Sequence, residues 1–299
     1  MALLRRILAA GDATVELPLE QMRANFEKFA GLFPGIEGVE VTPLHLGGVA
    51  AEKVVVAVDP ALPVPPGHRG AILYLHGGGF VTGSAKSHRM LAARLAAAAQ
   101  ATCFVLDYRL APEHPFPAAL ADTLAAWEAL LASHPGPLAL AGDSAGAGLA
   151  VLAASRLVAR GQKMPAAMAL FSPWGDLEGC PSVDRQEDPM VRRPGLEKMA
   201  RFYLGGRDPW DPEVTPLRAD LHGLPPLLLQ VGGADALRDD ALALAARLRA
   251  HGVHVTFELW PGMIHLWHLF ASRLDEGAAA LVRGGAFLRL ALDQEASLG

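Results

Sequence analysis

Cysteine is almost absent from this chain of 299 residues. The two that occur, Cys103 in an apolar run and Cys180 between Gly179 and Pro181, exclude a disulfide framework. Charge is also scarce: 19% of residues are charged against 52% in the set AVILMFWYC, a balance that excludes wholesale disorder. No cluster of basic residues stands against the net charge of −5, so no nucleic-acid partner is expected. Long apolar runs are missing too. Arg94 and Gln100 break residues 91 to 106, and Asp143 breaks 138 to 153, so no transmembrane helix and no membrane partner are expected. Arg5-Arg6 before Ile7-Leu8-Ala9-Ala10 resembles the start of a twin-arginine or secretory signal, but Asp12 and Glu16 end the apolar stretch early. A short amphipathic N-terminal helix in a cytoplasmic protein is expected instead. Neither G-x-G-x-x-G nor G-x-x-x-x-G-K-[ST] occurs, which argues against a phosphate cradle.

What is present is a rhythm. Ala71 to Leu75, Thr102 to Leu106, Leu138 to Ala141, Met168 to Phe171 and Leu227 to Val231 are short apolar runs that read as strands buried on both faces. The stretches between them have the length of crossover helices; one carries Leu237, Ala241, Leu244 and Leu248 on one face and stops at Gly252. Alternating strands and crossovers predict an α/β fold with a mostly parallel sheet and helices on both faces. Val253, Val255, Phe257 and Leu259 alternate with His254, Thr256 and Glu258, which predicts a strand nearer an edge with one wetter face. Two regions break the rhythm. Residues 1 to 38 hold an amphipathic helix with Leu19, Met22, Phe26, Phe29 and Phe33 on one side, and residues 177 to 216, rich in Pro, Gly and charge, hold a helix from Leu196 to Leu204. Together they form an expected lid over the sheet, which occupies 39 to 176 and 217 to 299.

Gly142-Asp143-Ser144-Ala145-Gly146 follows the strand Leu138 to Ala141 and opens an Ala-rich helix, the context G-x-S-x-G requires. A serine on so sharp a turn needs small neighbours, and its hydroxyl then projects above the sheet. The plainer alternative is a glycine-lined turn whose Ser144 only caps the helix. His76-Gly77-Gly78-Gly79 follows the strand Ala71 to Leu75; its glycines let backbone N–H groups converge on an anion, so Gly77, Gly78 and Ala145 are the candidate oxyanion donors. A serine nucleophile needs a base and an orienting acid. Asp235 follows the strand Leu227 to Val231, and His265 follows the strand ending at Leu259. Asp239 and Asp240 rival Asp235 but suit a helix start, where the macrodipole favours an anion. His268 rivals His265. A metal site shared by His265 and His268 has no third ligand at suitable spacing, so no metal is expected. The other histidines fall on a wetter strand face (His254), a helix end (His251), or probable loops and helix ends (His45, His68, His88, His114, His134 and His222).

In order along the chain from about Gly70, these residues resemble the hormone-sensitive-lipase-like bacterial esterases of the α/β-hydrolases, in their GDSAG subgroup. The resemblance rests on the run from His76 to Ser84, Tyr108 to Ala118, Gly142 to Gly146, Ser172-Pro173-Trp174, Asp235 to Asp239 and Pro261 to His265. It implies an α/β-hydrolase fold with an eight-stranded sheet and a helical cap, built from an N-terminal segment and an insertion after the sixth strand. It further implies Ser144 as nucleophile, Asp235 as acid, His265 as base, and a structural role for Tyr108 to Ala118. Phe80, Asp143, Trp174, Tyr203 and Trp267 are the residues expected to meet substrate. Leu266-Trp267 stands where the family usually has Gly-Phe, and Ala147 where a third glycine is common; both bear on substrate shape.

The activity expected is hydrolysis of short to medium acyl esters through an acyl-enzyme, with no cofactor. Ser172 to Leu177 is similar to monoterpene-lactone hydrolases, so a lactone is an alternative substrate. A ligand-binding protein on the same fold, like plant hormone receptors that lack the catalytic histidine, is the alternative of another class, and His265 argues against it. Family members often pair through an edge strand, which makes a homodimer possible. If the N-terminal helix and an insertion carrying Phe202, Tyr203 and Trp210 close over Ser144, the acyl pocket is apolar and of limited length.

Overall fold

The computed structural model describes residues 17–57, 70–185 and 187–298; the N-terminal Arg5-Arg6 segment and His68 lie outside them. In β3 (Ala71–Leu75) every side chain is buried, and alternate residues serve two different cores. Ala71, Leu73 and Leu75 join one apolar cluster and Ile72 and Tyr74 the other. The same division holds in β5 (Leu138–Asp143) and β6 (Met168–Phe171), where leucines and Met168 face one side and Ala139, Ala141, Ala169 and Phe171 the other. A strand that alternates apolar with apolar has no wet face, so helices must cover the sheet on both sides. They do: α3 (Ala118–Ser133), α4 (Ala145–Ala159) and α6 (Arg238–Ala250) complete the first cluster. Helices α2 (Ala85–Ala99) and α7 (Asp275–Leu298) complete the second.

With β4 (Thr102–Leu106), β7 (Leu227–Gly232) and β8 (Val255–Trp260), the sheet runs β1-β2-β4-β3-β5-β6-β7-β8 and is parallel from β4 to β8. This is the eight-stranded α/β-hydrolase sheet expected. The antiparallel pair β1 (Val39–Leu46) and β2 (Val49–Val56) lies outside the expected strands although β2 ends in the apolar run Val54-Val55-Val56; the Gly47-Gly48 turn, both residues at positive φ, joins Leu46 to its partner Val49. Strand β8 is the free edge, but the expected inward row fails at Leu259, which is 48% exposed. His45 lies on β1 and not in a loop.

Helix α1 (Leu19–Ala30) ends before Phe33, and α5 (Arg193–Leu204) begins three residues before Leu196, with Pro194 in its first turn, where a missing N–H costs nothing. The segment bearing α5 leaves the sheet after β6 and returns at β7. Among the described residues no helix is long and apolar enough to cross a membrane.

Candidate active site

Ser144 sits between β5 and α4 at φ 50° and ψ −119°, a strained conformation for a residue with a side chain. The turn is so tight that a Cβ on Gly146 would lie 2.0 Å from the Leu75 carbonyl oxygen. That close approach is the physical reason for glycine beside the serine. Strands β5, β7 and β8 are parallel, so the loops that follow them emerge at one edge and bring Ser144, Asp235 and His265 together. His265 Nε2 lies 3.0 Å from Ser144 Oγ, and His265 Nδ1 lies 3.0 Å from Asp235 Oδ1. A carboxylate only accepts, so Nδ1 carries the proton and Nε2 is left to accept from the serine hydroxyl. Asp235 Oδ1 also accepts the Leu237 N–H at 2.8 Å. Burial pushes the Asp235 carboxyl up, but the His265 charge and hydrogen bond outweigh it and hold it below its ordinary value. Burial likewise pushes the His265 imidazole down; Asp235, then Asp188 and Asp143, outweigh it and hold it above 6.5. The arrangement supports proton transfer from a serine hydroxyl to a base that stays oriented.

His268 is elsewhere. It lies between Phe171 and Trp267, donates from Nε2 to Gln230 Oε1 at 2.9 Å, and is pushed by burial down to about 3. Asp239 pairs with Arg185 at 3.1 Å in the first turn of α6. Asp240 departs from the capping role expected: buried, with its carboxyl raised by desolvation to about 6, it accepts the N–H groups of Gly175 and Asp176 and fixes the loop after β6. Among the described residues, Asp220, His222 and His251 form the one group of three metal-ligating side chains within mutual reach; it lies at the start of β7 and the end of α6, away from the triad.

The glycine run after β3 lies against the elbow. Gly78 adopts φ +108°, and a Cβ there would meet the Thr82 carbonyl oxygen at 2.3 Å. Beneath the run is a buried polar stack. Tyr108 packs on His76 with ring centroids 4.2 Å apart and donates its hydroxyl to the His76 carbonyl at 2.6 Å. His76, desolvated and beside His88, is lowered to about 3. Asp143 and His88 correct the sequence reading. Asp143 is fully buried, accepts the Tyr74 hydroxyl at 2.7 Å and lies 3.4 Å from His88, so it supports the loop from below and does not face substrate. His88 is inside α2, stacked between Phe26 and His76.

Phe80, Trp174 and Tyr203 do come together: Tyr203 stacks on Phe80 at 3.7 Å, with Trp174 6.0 Å from Phe80. Trp174 also borders a small cleft with Leu177, Cys180, Val183 and Leu196. Trp267 does not join them. It is fully buried in a separate cluster with Met263, Ile264 and Phe270, beside Trp260, because the turn after His265 carries it away from the serine. Trp210 is 53% exposed and lies under the Arg218 guanidinium. Phe29 of α1 and Phe33 just beyond it pack edge-on against Phe270, and Phe26 stacks on His88. Sequence reasoning also missed Asp188, a buried carboxylate from the insertion that accepts the backbone N–H of His265 at 2.6 Å. Nothing in sequence set it apart from Asp184, Arg185, Glu187, Arg192 and Arg193 around it except the Pro189 that follows.

Comparison with known proteins yields one picture. A family model described as alpha/beta hydrolase fold matches residues 72–269. An acetyl-hydrolase of Streptomyces hygroscopicus is 48% identical over 225 residues, covering 74% of this chain and 75% of that protein. An esterase of Acinetobacter venetianus is 32% identical, covering 87% and 85%. A crystal structure of an esterase from the bacterial hormone-sensitive lipase family superposes with a TM-score of 0.89 at 41% identity, covering 96% of each chain. The esterase EstE5, soaked by p-nitrophenyl butyrate, superposes with a TM-score of 0.90 at 41% identity, covering 98% of each.

Proposed function

The chain belongs to the α/β-hydrolase fold family, in its bacterial hormone-sensitive-lipase branch of esterases, and from that premise we propose that it cleaves carboxylic esters with Ser144 as nucleophile, His265 as base and Asp235 as orienting acid. Carboxylic ester hydrolysis itself is the activity of the family. The single observation that supports the assignment of roles is the hydrogen-bonded chain Ser144 Oγ, His265 and Asp235 on a strained elbow. As Ser144 Oγ bonds to the ester carbon, His265 Nε2 takes its proton; the carbonyl electron pair moves onto oxygen, facing the N–H groups of Gly77, Gly78 and Ala145. Collapse breaks the C–O bond to the alcohol, which leaves with the proton from His265. Water then attacks the acyl-serine and gives its proton to His265; the second tetrahedral intermediate collapses, the bond from carbon to Ser144 Oγ breaks, His265 returns the proton to Oγ, and the acid is released.

In this reading α1 and the insertion form a cap, and the packed rings of Phe80, Trp174 and Tyr203, themselves almost fully buried, back the acyl side. The insertion's fit supports this: a Cβ on Gly79 would lie 2.1 Å from Met199 Sδ of α5, so the cap rests directly on the glycine run. A cap this close to the glycine run supports a shallow acyl pocket and, with it, esters of short to medium acyl chains as the substrate class. The p-nitrophenyl butyrate soaked into the related esterase supports the same range. The reading includes a cytoplasmic location, supported by two buried, unpaired thiols, and a homodimer, supported by the free β8 edge and its exposed Leu259. A p-nitrophenyl ester series tests it. kcat/KM should rise by severalfold at most per added CH₂, which is worth about 0.8 kcal/mol, and fall once the chain meets the cap. Preference for long chains, or activation by emulsified triglyceride, overturns the short-chain assignment.

A further inference from the structure

Asp188 lies in the insertion, far in sequence from the loops after β7 and β8, yet its carboxylate is 2% exposed and ends between them. Oδ2 accepts two backbone N–H groups, from Ala236 at 3.1 Å and from His265 at 2.6 Å. Ala236 follows the proposed acid, and His265 is the proposed base. Oδ1 accepts the Met190 N–H at 2.8 Å across Pro189. A residue before proline is confined to extended backbone, and the Asx-type bond to Met190 holds the side chain, so the carboxylate is aimed by its own turn.

We propose that Asp188 is a positioning residue for the triad: one carboxylate, delivered by the insertion, fixes the main chain of the base to the main chain beside the acid and adds a second negative charge behind the imidazole. The inference rests on the triad roles proposed above. Two carboxylates near one imidazole stabilise the imidazolium that forms when Ser144 loses its proton. The groups facing His265 are Asp235 from the loop after β7, Asp188 from the insertion, Asp143 at the end of β5, Ser144 itself, and His268 in the turn that follows. Burial and the nearby Asp235 push the Asp188 carboxyl up while His265 pulls it down, the balance of a carboxylate set beside a second one.

Three variants separate shape from charge. Asp188→Asn keeps the outline and still accepts from Ala236 and His265, but removes the charge and sets a donor against the Met190 N–H; Asp188→Glu keeps the charge and moves the oxygens; Asp188→Ala removes both. With p-nitrophenyl butyrate, kcat of Asp188→Ala should fall by about 10- to 100-fold, the scale of a misplaced catalytic group, with KM within about twofold. Asp188→Asn should lose less. In both, loss of a negative charge favours neutral His265, so the acid limb of kcat/KM should move to lower pH. In Asp188→Glu, kcat falls without that movement. The low-field proton resonance of the His265 Nδ1–H should shift or vanish in Asp188→Ala. If Asp188→Ala does not fold, Asp188→Asn and Asp188→Glu carry the test. Variants that lose thermal stability but keep kcat and the acid limb make Asp188 merely structural and overturn the proposal. Wild type and Ser144→Ala are assayed alongside: absence of serine-dependent turnover in wild type defeats the triad reading itself, whereas an active wild type with indifferent Asp188 variants defeats only this inference.

Discussion

The loops at the carboxyl edge of the sheet and the two segments laid over them are held by different means. At the edge, main chain meets main chain: Gly146 against the Leu75 carbonyl, Gly78 against that of Thr82, Ser144 at φ 50°. In the overlying segments, side chains do the holding. Phe29 and Phe33 grip Phe270, Tyr203 stacks on Phe80, and Arg23 of α1 reaches Val81 O, Ala111 O and the Glu113 carboxylate, whose pKa its hydrogen bonds lower to about 2. The edge tolerates only particular residue types at particular positions, whereas the overlying contacts accept many apolar alternatives. Substitutions of the polar groups gathered at the edge, Asp188 from the insertion included, should therefore act on turnover, and substitutions of the apolar side chains that pack there or above it on stability.

The largest expected effect is at the edge. Ser144→Ala should lower kcat by about 10⁴- to 10⁶-fold while leaving the melting temperature nearly unchanged, because it removes the proposed nucleophile and little packing. Near-normal turnover by the folded variant defeats the triad. The next largest sets two neighbouring histidines against each other. His265→Ala should cost turnover on a similar scale, whereas His268→Ala should mainly cost stability, since it empties a site between Phe171 and Trp267 and orphans Gln230 Oε1. Equal losses of kcat would reverse the assignment. His265 acts as a base only when neutral, and its neighbours hold its pKa above 6.5. As pH falls, the imidazole gains its proton early, so the acid limb of kcat/KM should have its midpoint above 6.5. A midpoint below that value removes the charge cluster as its cause.

The same contrast explains what the sequence made legible. The hydrogen-bonded group of Ser144, His265 and Asp235, and the tight run at Gly77 and Gly78, proposed above as triad and oxyanion donors, were readable because an elbow and a glycine run restrict residue type wherever they occur. Strands β3 to β7 were readable because a fully buried strand must be apolar throughout. Asp143, Trp267 and His88 were misplaced for the opposite reason: a polar or aromatic residue beside a motif gives no sign of which side of the main chain it takes. Asp188 was invisible because its partners are backbone N–H groups, which every residue has. The β1–β2 hairpin was missed behind Pro43, Glu52 and Lys53, although Gly47-Gly48 and the run Val54-Val55-Val56 both mark it.

Above the edge, Phe29→Ala removes one ring from the contact with Phe33 and Phe270. Phe29 is partly buried, so the loss should be about 1 to 3 kcal/mol of unfolding free energy, with kcat and KM nearly unchanged. Denaturant unfolding measures the first and ester hydrolysis the second. A large fall in kcat with intact stability would show that α1 shapes the site itself, and the contrast between edge and overlay would fail.

The most finely balanced effect falls where the two kinds of holding coincide. Leu266, directly after His265, is buried yet sits at φ 48° and ψ 44°, a conformation that glycine adopts freely. Leu266→Gly relieves a backbone cost of roughly 1 to 2 kcal/mol. It also removes a buried leucine, worth about 2 to 5 kcal/mol, and adds roughly 0.5 to 1 kcal/mol of unfolded-state entropy. Burial wins, and the variant should be destabilised by about 1 to 4 kcal/mol. Turnover should hardly change, because glycine accepts the same φ and keeps the N–H that Ser172 Oγ accepts at 3.2 Å. If the glycine variant is instead as stable as wild type, strain outweighs packing even at a position 3% exposed, and side chains hold less of this edge than its burial implies.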